Sequence, residues 1–441
     1  MSAPSNTELG VRRAAVDLLH GCVSTTLEPG GWVRPQRFAR EQVKALGSCL
    51  AWHPGLYRQM AACTAGVCLE FETDSATVEV EVAVGPMPKG SAAVISDVMR
   101  HGAFPRPPFD GISAEVDGRF LGILQPDEND VVQISLDGPS NSGAPALVRL
   151  PGMGTGDVHR VTVWLPCLSP CAVRHVHGDG TYIAPVASRS LLLVLGDSIS
   201  QGFVGGDPAL LWPTRLAREL DLDLLNQGVG GQVFQPGSLA GLSAVVAPAR
   251  IVVELGANYR YEPCQPSRVE PQIKAFLNEV SSRWPEVPVS VITPLHHLEG
   301  VYPTHARSCF DQVPQMMAQE TNRHQQMSLI DGRTLLDEQD LFRTLADASD
   351  HPGPEAQATM ADRLLAQIAG RPKPEASKEK PASKEGSTSK REKVPSAGAQ
   401  MSLLPGFDVP EVQGPKPKTR KKKAARKQAA PVQCETLPLP W

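Results

Sequence analysis

Four short polar segments in the second half of the chain carry residue types that nucleophilic catalysis uses. A Gly-Asp-Ser triplet occupies residues 196–198, and a glycine-rich segment, Asn-Gln-Gly-Val-Gly-Gly, occupies 226–231. Asn258 and His351 lie in the other two segments, Gly-Ala-Asn-Tyr and Asp-Ala-Ser-Asp-His-Pro. A serine hydroxyl, a histidine base and amide donors for an oxyanion suit acyl transfer. Each segment alone is a weak signal, because an Asp or Ser before a helix also commonly caps it.

The placement of these segments strengthens the signal. From residue 188 onward, buried-type strands alternate with helical stretches, which predicts a mainly parallel sheet with helices on both faces. Catalytic residues of such sheets lie at the carboxyl ends of the strands. The first three segments each follow a strand, and His351 precedes the last helix. Strands are predicted at 191–195, 222–226, 250–255, 287–293 and 327–331, and helices at 208–220, 269–284, 334–345 and 354–368.

Taken together and in this order, the four segments resemble the SGNH hydrolase family, also called GDSL esterases. The resemblance covers residues 188–370 and implies a flavodoxin-like α/β domain. It implies Ser198 as the nucleophile and His351 as the general base. It also implies an oxyanion hole formed by the backbone N–H groups of Ser198 and Gly231 and the side chain of Asn258. The family's chemistry needs neither a metal nor another cofactor.

The sequence departs from the family pattern at two places. Tyr259 stands where the family usually has an Asp, beside the oxyanion Asn. The family's acid lies three residues before the histidine, where this chain has Ala348. Asp347 is the favoured acid and would reach His351 through a turn one residue longer. The alternatives are Asp350, which is adjacent to the histidine, and a Ser-His dyad in which a backbone carbonyl holds the ring.

Residues 1–187 are predicted to form an antiparallel, jelly-roll-like β-sandwich. The run 76–84 alternates valine with glutamate, the period of a half-buried strand, and runs 66–73, 130–138 and 159–167 are similar. Asp117-Gly118 between two apolar runs predicts a hairpin. Residues 9–20 are expected to form a short helix. This region is similar to the N-terminal sandwich of two-domain bacterial members of the family.

Residues 371–441 are predicted to be a disordered basic tail, rich in Lys, Glu, Pro and Ser. They carry 16 basic and 7 acidic residues, whereas the first 370 carry 27 basic and 40 acidic ones. A basic cluster extends from Lys418 to Lys427. We interpret this cluster as part of a solvated tail. The alternatives are contact with nucleic acid or another anionic partner, and a nuclear-import signal.

The remaining composition predicts a cytoplasmic protein with reduced thiols. No apolar run approaches the ~18 residues of a membrane span, and the N-terminus lacks the apolar core of a secretory signal. The nine cysteines include no C-x-x-C pair, which argues against a disulfide scaffold or a structural zinc site. A metal site at His175 and His177, with Asp179 near, is a less favoured alternative to exposed strand histidines.

The preferred function is a cytoplasmic serine esterase that hydrolyses small acyl or acetyl esters. O-acetylated carbohydrate is a substrate class that rests on analogy with the two-domain relatives. His296-His297, Tyr261 and Trp212 are expected at the rim of the cleft. The alternative is a binding protein on a catalytically degenerate SGNH scaffold, suggested by Ala348 and Tyr259, with the basic tail as its interaction arm.

Overall fold

The computed structural model describes residues 10–46, 54–101, 110–124, 146–150, 157–261, 265–300 and 302–369. The predicted strand at 130–138 lies outside these residues. So does the whole of 371–441, with its predicted disorder and the basic cluster from Lys418 to Lys427. Those statements, and the nucleic-acid association that rests on the cluster, stay predictions.

Two antiparallel sheets occupy the first part of the chain, as the sequence predicts. One sheet has the strand order β3-β4-β11-β6-β9, with β1 paired to β11; the other has the order β12-β5-β10-β7-β8, with β2 paired to β5. Their described strands are β1 (Val11–Ala14), β2 (Leu19–His20), β3 (Ser24–Glu28), β4 (Trp32–Gln36), β5 (Cys68–Thr73), β6 (Val78–Val84), β7 (Ser113–Val116), β8 (Arg119–Ile123), β9 (Ala146–Leu150), β10 (His159–Trp164), β11 (Cys171–Gly178) and β12 (Ile183–Pro185).

Alternation along β6 explains how the two sheets pack. Val78, Val80 and Val82 are fully buried in a shared apolar core with Phe71 of β5 and Val163 of β10, so the sheets lie face to face. The glutamates of β6 point to the opposite face, where Arg174, His175 and His177 of β11 cover Glu81. The strand is therefore buried on both faces rather than on one.

The structure confirms the predicted hairpin and corrects the first helix. Asp117 and Gly118 both have positive φ, 50° and 78°, as the tight turn between β7 and β8 requires. The predicted helix at 9–20 is wrong: it contains β1, a single 3-10 turn at Ala15–Leu18, and β2. Pairing of β1 with β11 and of β2 with β5 outweighs the helical pattern, because it buries Leu18 in the sandwich core.

Helices that the sequence pattern does not predict interrupt the antiparallel region. They are α1 (Arg40–Ala45), α2 (Pro54–Ala61) and α3 (Lys89–His101). Phe38, Tyr57 and Met60 from this region form an apolar cluster with Phe203 and Val229 of the part of the chain that carries the parallel sheet. The predicted division at residues 187 and 188 stays a prediction, with the antiparallel strands ending at Pro185 and the parallel ones beginning at Leu191.

The second part of the chain forms the predicted parallel sheet, with the flavodoxin-like order β14-β13-β15-β16-β17. Apolar clusters cover both of its faces. The helix predicted at 334–345 is reduced to 3-10 turns and one short α-helix. The elements are β13 (Leu191–Gly196), α4 (Ser198–Gln201), α5 (Trp212–Glu219), β14 (Asp223–Gly228), β15 (Pro248–Glu254), α6 (Pro266–Arg283), β16 (Val289–Ile292), α7 (Arg307–Phe310), α8 (Val313–Thr321), β17 (Met327–Ile330), α9 (Leu341–Thr344) and α10 (Pro354–Ile368).

A buried arginine joins the two parts of the chain. Arg37, between β4 and α1, has no exposed surface and donates from Nε to the carbonyl of Cys63 and from Nη2 to that of Met60. Its Nη1 donates to the carbonyls of Asn226 and Gly228, 2.5 and 3.1 Å away, at the end of β14. Burial lowers the pKa of Arg37 to about 10, so the guanidinium stays charged at neutral pH. The carboxyl end of β14 is thus held from the antiparallel region.

No helix in the described part of the chain is long and apolar enough to cross a membrane. The described cysteines are free thiols, and most are buried. Burial raises the pKa of Cys63 and Cys171 to about 12, which keeps both as unreactive thiols at neutral pH.

We predict that Arg37→Met destabilises the fold. The substitution leaves four buried backbone carbonyls without their donors, and we expect the free energy of unfolding to fall by about 3 kcal/mol. Urea denaturation of wild type and variant measures the change. Arg40→Met, at an exposed position of α1, is the matched control and should change stability by less than about 0.5 kcal/mol. An Arg37→Met effect equal to that of the control would contradict the assignment.

Candidate active site

Ser198 is the first residue of α4 and follows β13 directly. Asp197 caps the helix by accepting the N–H of Ile199 on Oδ1 at 2.9 Å. The turn is tight, since a Cβ on Gly196 would lie 2.0 Å from Oγ of Ser200. Asp197 rather than Ser198 is therefore the capping residue, and the Ser198 hydroxyl is left for another partner.

That partner is His351. Its Nε2 lies 2.7 Å from Oγ of Ser198, and its Nδ1 lies 2.5 Å from Oδ2 of Asp347. All three side chains are at most 8% exposed. The ring of Phe203 stacks on the imidazole with centroids 5.8 Å apart. The fold thus brings together the serine, the histidine and the favoured acid, although 153 positions separate the first two.

The loop 345–352 shows how an acid four residues away reaches the imidazole. Oδ1 of Asp347 accepts the backbone N–H groups of Ser349, Asp350 and His351 at 2.9, 3.0 and 3.1 Å. Ala348 has a φ of 54°, in the left-handed region, which takes up the additional residue. Asp347 therefore organises the loop with one oxygen and holds the ring with the other.

Electrostatics favour a charged pair between these two residues. Burial lowers the pKa of His351, but the nearby carboxylates of Asp347 and Asp350 outweigh it and raise the pKa to about 9. Burial raises the pKa of Asp347, but the charge and hydrogen bonds of His351 outweigh it and hold the pKa below its usual value. Asp350, the alternative acid, also faces the ring, with Oδ1 3.3 Å from Nδ1.

The residues expected to form an oxyanion hole lie on the other side of Ser198. Gly231 has a φ of 76° in the turn after β14, a conformation that favours glycine. Neither its N–H nor that of Ser198 donates to another described residue. Nδ2 of Asn258 donates to Oδ2 of Asp197 at 2.9 Å and to the carbonyl of Gln232 at 3.1 Å. Both amide hydrogens of Asn258 therefore have protein acceptors in this structure.

Two buried carboxyl groups lie behind this side of the site. Burial and the neighbouring Glu254 raise the pKa of Asp197 well above its usual value. Burial raises the pKa of Glu254 to about 7, although Ser200 donates a 2.7 Å hydrogen bond to it. The pair therefore carries less than two full negative charges at neutral pH, which reduces its repulsion of an anion forming at Ser198.

Residues from the antiparallel region support the segment that contains Gly231. The hydroxyl of Tyr57 in α2 donates to the carbonyl of Gly231 at 2.9 Å. Gln42 in α1 donates to the side chain of Gln227 at 2.9 Å and to the carbonyl of Ser238. Neither these supports nor the stacking of Phe203 could be predicted from the sequence, because no local motif connects residues this far apart in the chain.

Tyr259 and Trp212 are both buried in the core of the parallel-sheet region. Tyr259 is buried, stacks on Phe234 and donates its hydroxyl to Gln272 at 2.8 Å, so this departure from the family pattern serves core packing. The rim position expected for Trp212 is wrong, because its side chain is fully buried in the core under the sheet. Of the other rim candidates, Tyr261 donates to Oδ2 of Asp350 at 2.8 Å, and Nε2 of His297 lies 2.9 Å from Oε1 of Glu299.

The histidine pair lies on β11, in an antiparallel sheet separate from the parallel sheet whose strands precede Ser198 and Asn258. Nδ1 of His175 and Nε2 of His177 each lie 3.0 Å from a carboxylate oxygen of Glu81. Nε of Arg174 approaches the same carboxylate to 2.5 Å, so a guanidinium already supplies a cation there. Asp179, expected beside the pair, accepts the N–H of Thr77 instead.

Comparison with known proteins agrees with this architecture. The sequence model of the GDSL-like Lipase/Acylhydrolase family matches residues 194–359. No curated protein sequence matches the chain.

Several solved structures share the fold at low sequence identity. A salicylyl acyltransferase from a tetracycline biosynthetic pathway aligns with a TM-score of 0.61 and 19% identity, over 82% of this chain and 97% of its own. A putative GDSL-like lipase from Bacteroides ovatus aligns with a TM-score of 0.57 and 15% identity, over 82% and 99%. A family two carbohydrate esterase from Clostridium thermocellum, in complex with cellohexaose, aligns with a TM-score of 0.50 and 15% identity, over 70% and 93%. The structural alignments cover 70–82% of this chain, more than residues 194–359 that the family model matches. The shared fold therefore includes part of the antiparallel region.

We predict that His351 stabilises the fold in a pH-dependent way. Its folded pKa of about 9 lies above the ordinary value of 6.5, so its contribution is full below about pH 6.5 and is lost as pH rises through about 9. We therefore expect the difference in unfolding free energy between wild type and His351→Gln to shrink by about 1–3 kcal/mol over that interval. Urea denaturation at a series of pH values measures it. A difference that stays constant from pH 6 to 10 would refute the assignment.

Proposed function

Because residues 194–359 belong to the GDSL-like lipase/acylhydrolase family, we propose that this chain is a serine esterase that hydrolyses carboxylic esters of small acyl groups. In the proposal, Ser198 is the nucleophile, His351 the general base and Asp347 the acid that orients it. The observation that carries it is the continuous chain of contacts from Oγ of Ser198 through the imidazole to Asp347.

The first half of the reaction forms an acyl-enzyme. Nε2 of His351 accepts the hydroxyl proton of Ser198 while Oγ bonds to the ester carbonyl carbon, and the carbonyl electrons move to oxygen. When the carbonyl re-forms, the bond to the alcohol oxygen breaks, and that oxygen leaves with the proton from Nε2. Asp347 stabilises the imidazolium that exists between these two steps.

The second half returns the free enzyme. Water attacks the acyl carbon while Nε2 of His351 accepts one of its protons, and collapse of the intermediate breaks the bond to Oγ of Ser198. The proton on Nε2 then returns to Oγ, and the carboxylic acid is released. Because the raised pKa leaves His351 protonated in the resting protein at neutral pH, the proposal expects turnover to increase toward alkaline pH.

The proposed oxyanion hole consists of the N–H groups of Ser198 and Gly231 and the amide of Asn258. The two backbone groups lack acceptors among the described residues, which leaves them available to the substrate. The Asn258 side chain would exchange one hydrogen-bond acceptor. The N–H that now donates to the carbonyl of Gln232 would donate to the oxyanion instead. A charge-assisted bond to the oxyanion is stronger than this neutral one, which favours the exchange in the transition state.

The intact contacts also favour the esterase over a degenerate binding protein. The alternative was suggested by Ala348 and Tyr259, which depart from the family pattern. Ala348 accommodates the longer turn to Asp347, and Tyr259 packs in the core. Neither departure removes a contact between the proposed nucleophile, base and acid.

For the substrate we propose small acyl esters, with O-acetylated carbohydrate as the class to examine first. The support is the fold shared with the Clostridium thermocellum carbohydrate esterase and with an acetyl xylan esterase from Butyrivibrio proteoclasticus, which aligns with a TM-score of 0.50. Acetate release from acetylated xylan tests this choice directly.

We predict that Ser198→Ala abolishes ester hydrolysis. Without Oγ no acyl-enzyme forms, and we expect kcat/KM for p-nitrophenyl acetate, butyrate and octanoate to fall by at least about 10⁴-fold, with acetate the best substrate of wild type. A fluorophosphonate probe should label wild type and not the variant.

Ser282→Ala is the matched control. Its hydroxyl is exposed on α6 and donates to the carbonyl of Asn278, so activity and labelling should match wild type. Equal turnover by wild type and Ser198→Ala, or labelling that survives the substitution, would overturn the proposed function.

We predict that Asn258→Ala lowers kcat by about 10²–10³-fold with a much smaller change in KM. Loss of one oxyanion donor raises the barrier without removing a ground-state contact to the substrate. Steady-state kinetics with p-nitrophenyl acetate measure the two constants. Asn278→Ala, an exposed amide on α6, is the control and should leave both unchanged. A loss confined to KM would exclude Asn258 from the oxyanion hole.

A further inference from the structure

A second carboxylate faces the imidazole of His351 besides Asp347. Oδ1 of Asp350 lies 3.3 Å from Nδ1 of His351, and the Asp350 residue is only 7% exposed. Within the described residues, this oxygen is buried and has no hydrogen-bond donor. Leaving a buried carboxylate oxygen without a donor is costly unless a positive charge lies beside it. The neighbouring imidazolium is such a charge.

The other oxygen of Asp350 is held from outside the histidine loop. The hydroxyl of Tyr261 donates to Oδ2 at 2.8 Å, and Nη1 of Arg260 lies 3.5 Å from the same oxygen. Arg260 is the last residue of the 3-10 turn after β15 and Tyr261 follows it, about ninety positions away from Asp350 in the sequence. The aim of Oδ1 at the ring is therefore set by a separate element.

Arg260 makes this support rigid. It is almost fully buried, and its guanidinium donates to the hydroxyls of Tyr261, Ser349 and Thr304 at 2.7–3.0 Å. It also donates to the carbonyls of Leu298 and Tyr302. A guanidinium with this many partners has little freedom to move, so Asp350 cannot turn away from the ring without breaking the network.

We propose that Asp350 is a second positioning residue for His351, held in place by Tyr261 and Arg260. Together with Asp347 it stabilises the imidazolium. When Asp347 is replaced by a residue without a carboxylate, Asp350 accepts the hydrogen bond from Nδ1–H of His351. This inference rests on the proposed function, since it assigns a role within the same site. Asp347 remains the closer acceptor. Asp350 acts mainly through its charge, because 3.3 Å is longer than an ordinary charge-assisted hydrogen bond.

The charged and titratable groups around His351 determine the sign of the expected effect. Removing the charge of Asp350 removes one of the groups that favour the imidazolium, so the pKa of His351 should fall. Arg260 remains in the variant and does not reduce that fall, because Asp350 no longer offsets the positive charge of its guanidinium. The groups that face this region are Asp347 and Asp350 on the histidine loop, Asp197 before α4, Glu254 at the end of β15, and Arg260 and Tyr261 after β15.

The test compares Asp347→Asn, Asp350→Asn, the double variant and a control in one set of measurements. The control is Asp340→Asn, an exposed carboxylate before α9 that pairs with Arg343. Each protein is examined by NMR titration of the His351 ring, whose signals are assigned by their absence in His351→Gln. Each is also examined by the pH profile of kcat/KM with p-nitrophenyl acetate, and by its melting temperature.

For Asp350→Asn we expect the midpoint of the His351 titration, and the rising limb of the pH profile, to move down by about one pH unit. The control should leave both in place. In kcat/KM we expect Asp350→Asn to lose less than about 10-fold and Asp347→Asn about 10²-fold. The double variant should lose about 10⁴-fold, more than the product of the single losses, because the second carboxylate no longer substitutes for the first.

Two results would overturn the inference. One is a His351 midpoint in Asp350→Asn equal to that of the control. The other is a double variant whose loss equals the product of the single losses. Should the amide disturb the loop and lower the melting temperature, Asp350→Ser provides a smaller neutral side chain that can still accept the bond from Tyr261, and the same downward shift is expected.

The outcomes also separate this inference from the proposed function. If wild type neither hydrolyses esters nor reacts with a fluorophosphonate, the proposed function fails, yet the NMR titration still decides whether Asp350 acts on His351. If esters are hydrolysed and the midpoint does not move, only the role of Asp350 fails.

Discussion

The site depends on the hydrogen bonds that the Asp347 carboxylate accepts. One oxygen accepts three successive backbone N–H groups, and the other receives Nδ1 of His351 at 2.5 Å. The loop conformation and the orientation of the imidazole therefore have one cause. The positive φ of Ala348 is a strained backbone conformation for a residue other than glycine. The hydrogen bonds from the loop N–H groups to Asp347 compensate for this strain. The ring then faces Ser198.

The site also depends on hydrogen bonds from the antiparallel region to the end of β14 and to the turn that follows it. Arg37 binds the carbonyls of Asn226 and Gly228, and Tyr57 binds that of Gly231. A buried guanidinium can satisfy several carbonyls at once, but only if they converge on it. The segment that ends at Gly231 is thus shaped by contacts from both parts of the chain, so the antiparallel region helps to build the candidate site.

Burial gives the site its electrostatic character. Several carboxyl groups lie within or behind it, and their environments shift the pKa values of three of them, Asp347, Asp197 and Glu254, in different directions. Asp347 stays ionised because His351 lies against it, whereas burial raises the pKa of Asp197 and Glu254. Negative charge is consequently concentrated on the side of the imidazole and reduced on the side where an oxyanion would form. This separation of roles by environment suits acyl transfer.

Local patterns in the sequence were sufficient to predict the parallel sheet, the hairpin at Asp117, and the segments that contain Ser198, Asn258 and His351. Strand periodicity, turn residues and strand-end motifs are encoded within a few neighbouring residues, so they can be read without the fold. The short helix expected at 9–20 was wrong because long-range strand pairing outweighed it. The choice between Asp347 and Asp350 was open for a related reason: both lie near His351 in sequence, and only the turn at Ala348 and the support of Tyr261 decide how each carboxylate faces the ring. Those contacts join residues up to about ninety positions apart, and their geometry exists only once the chain has folded.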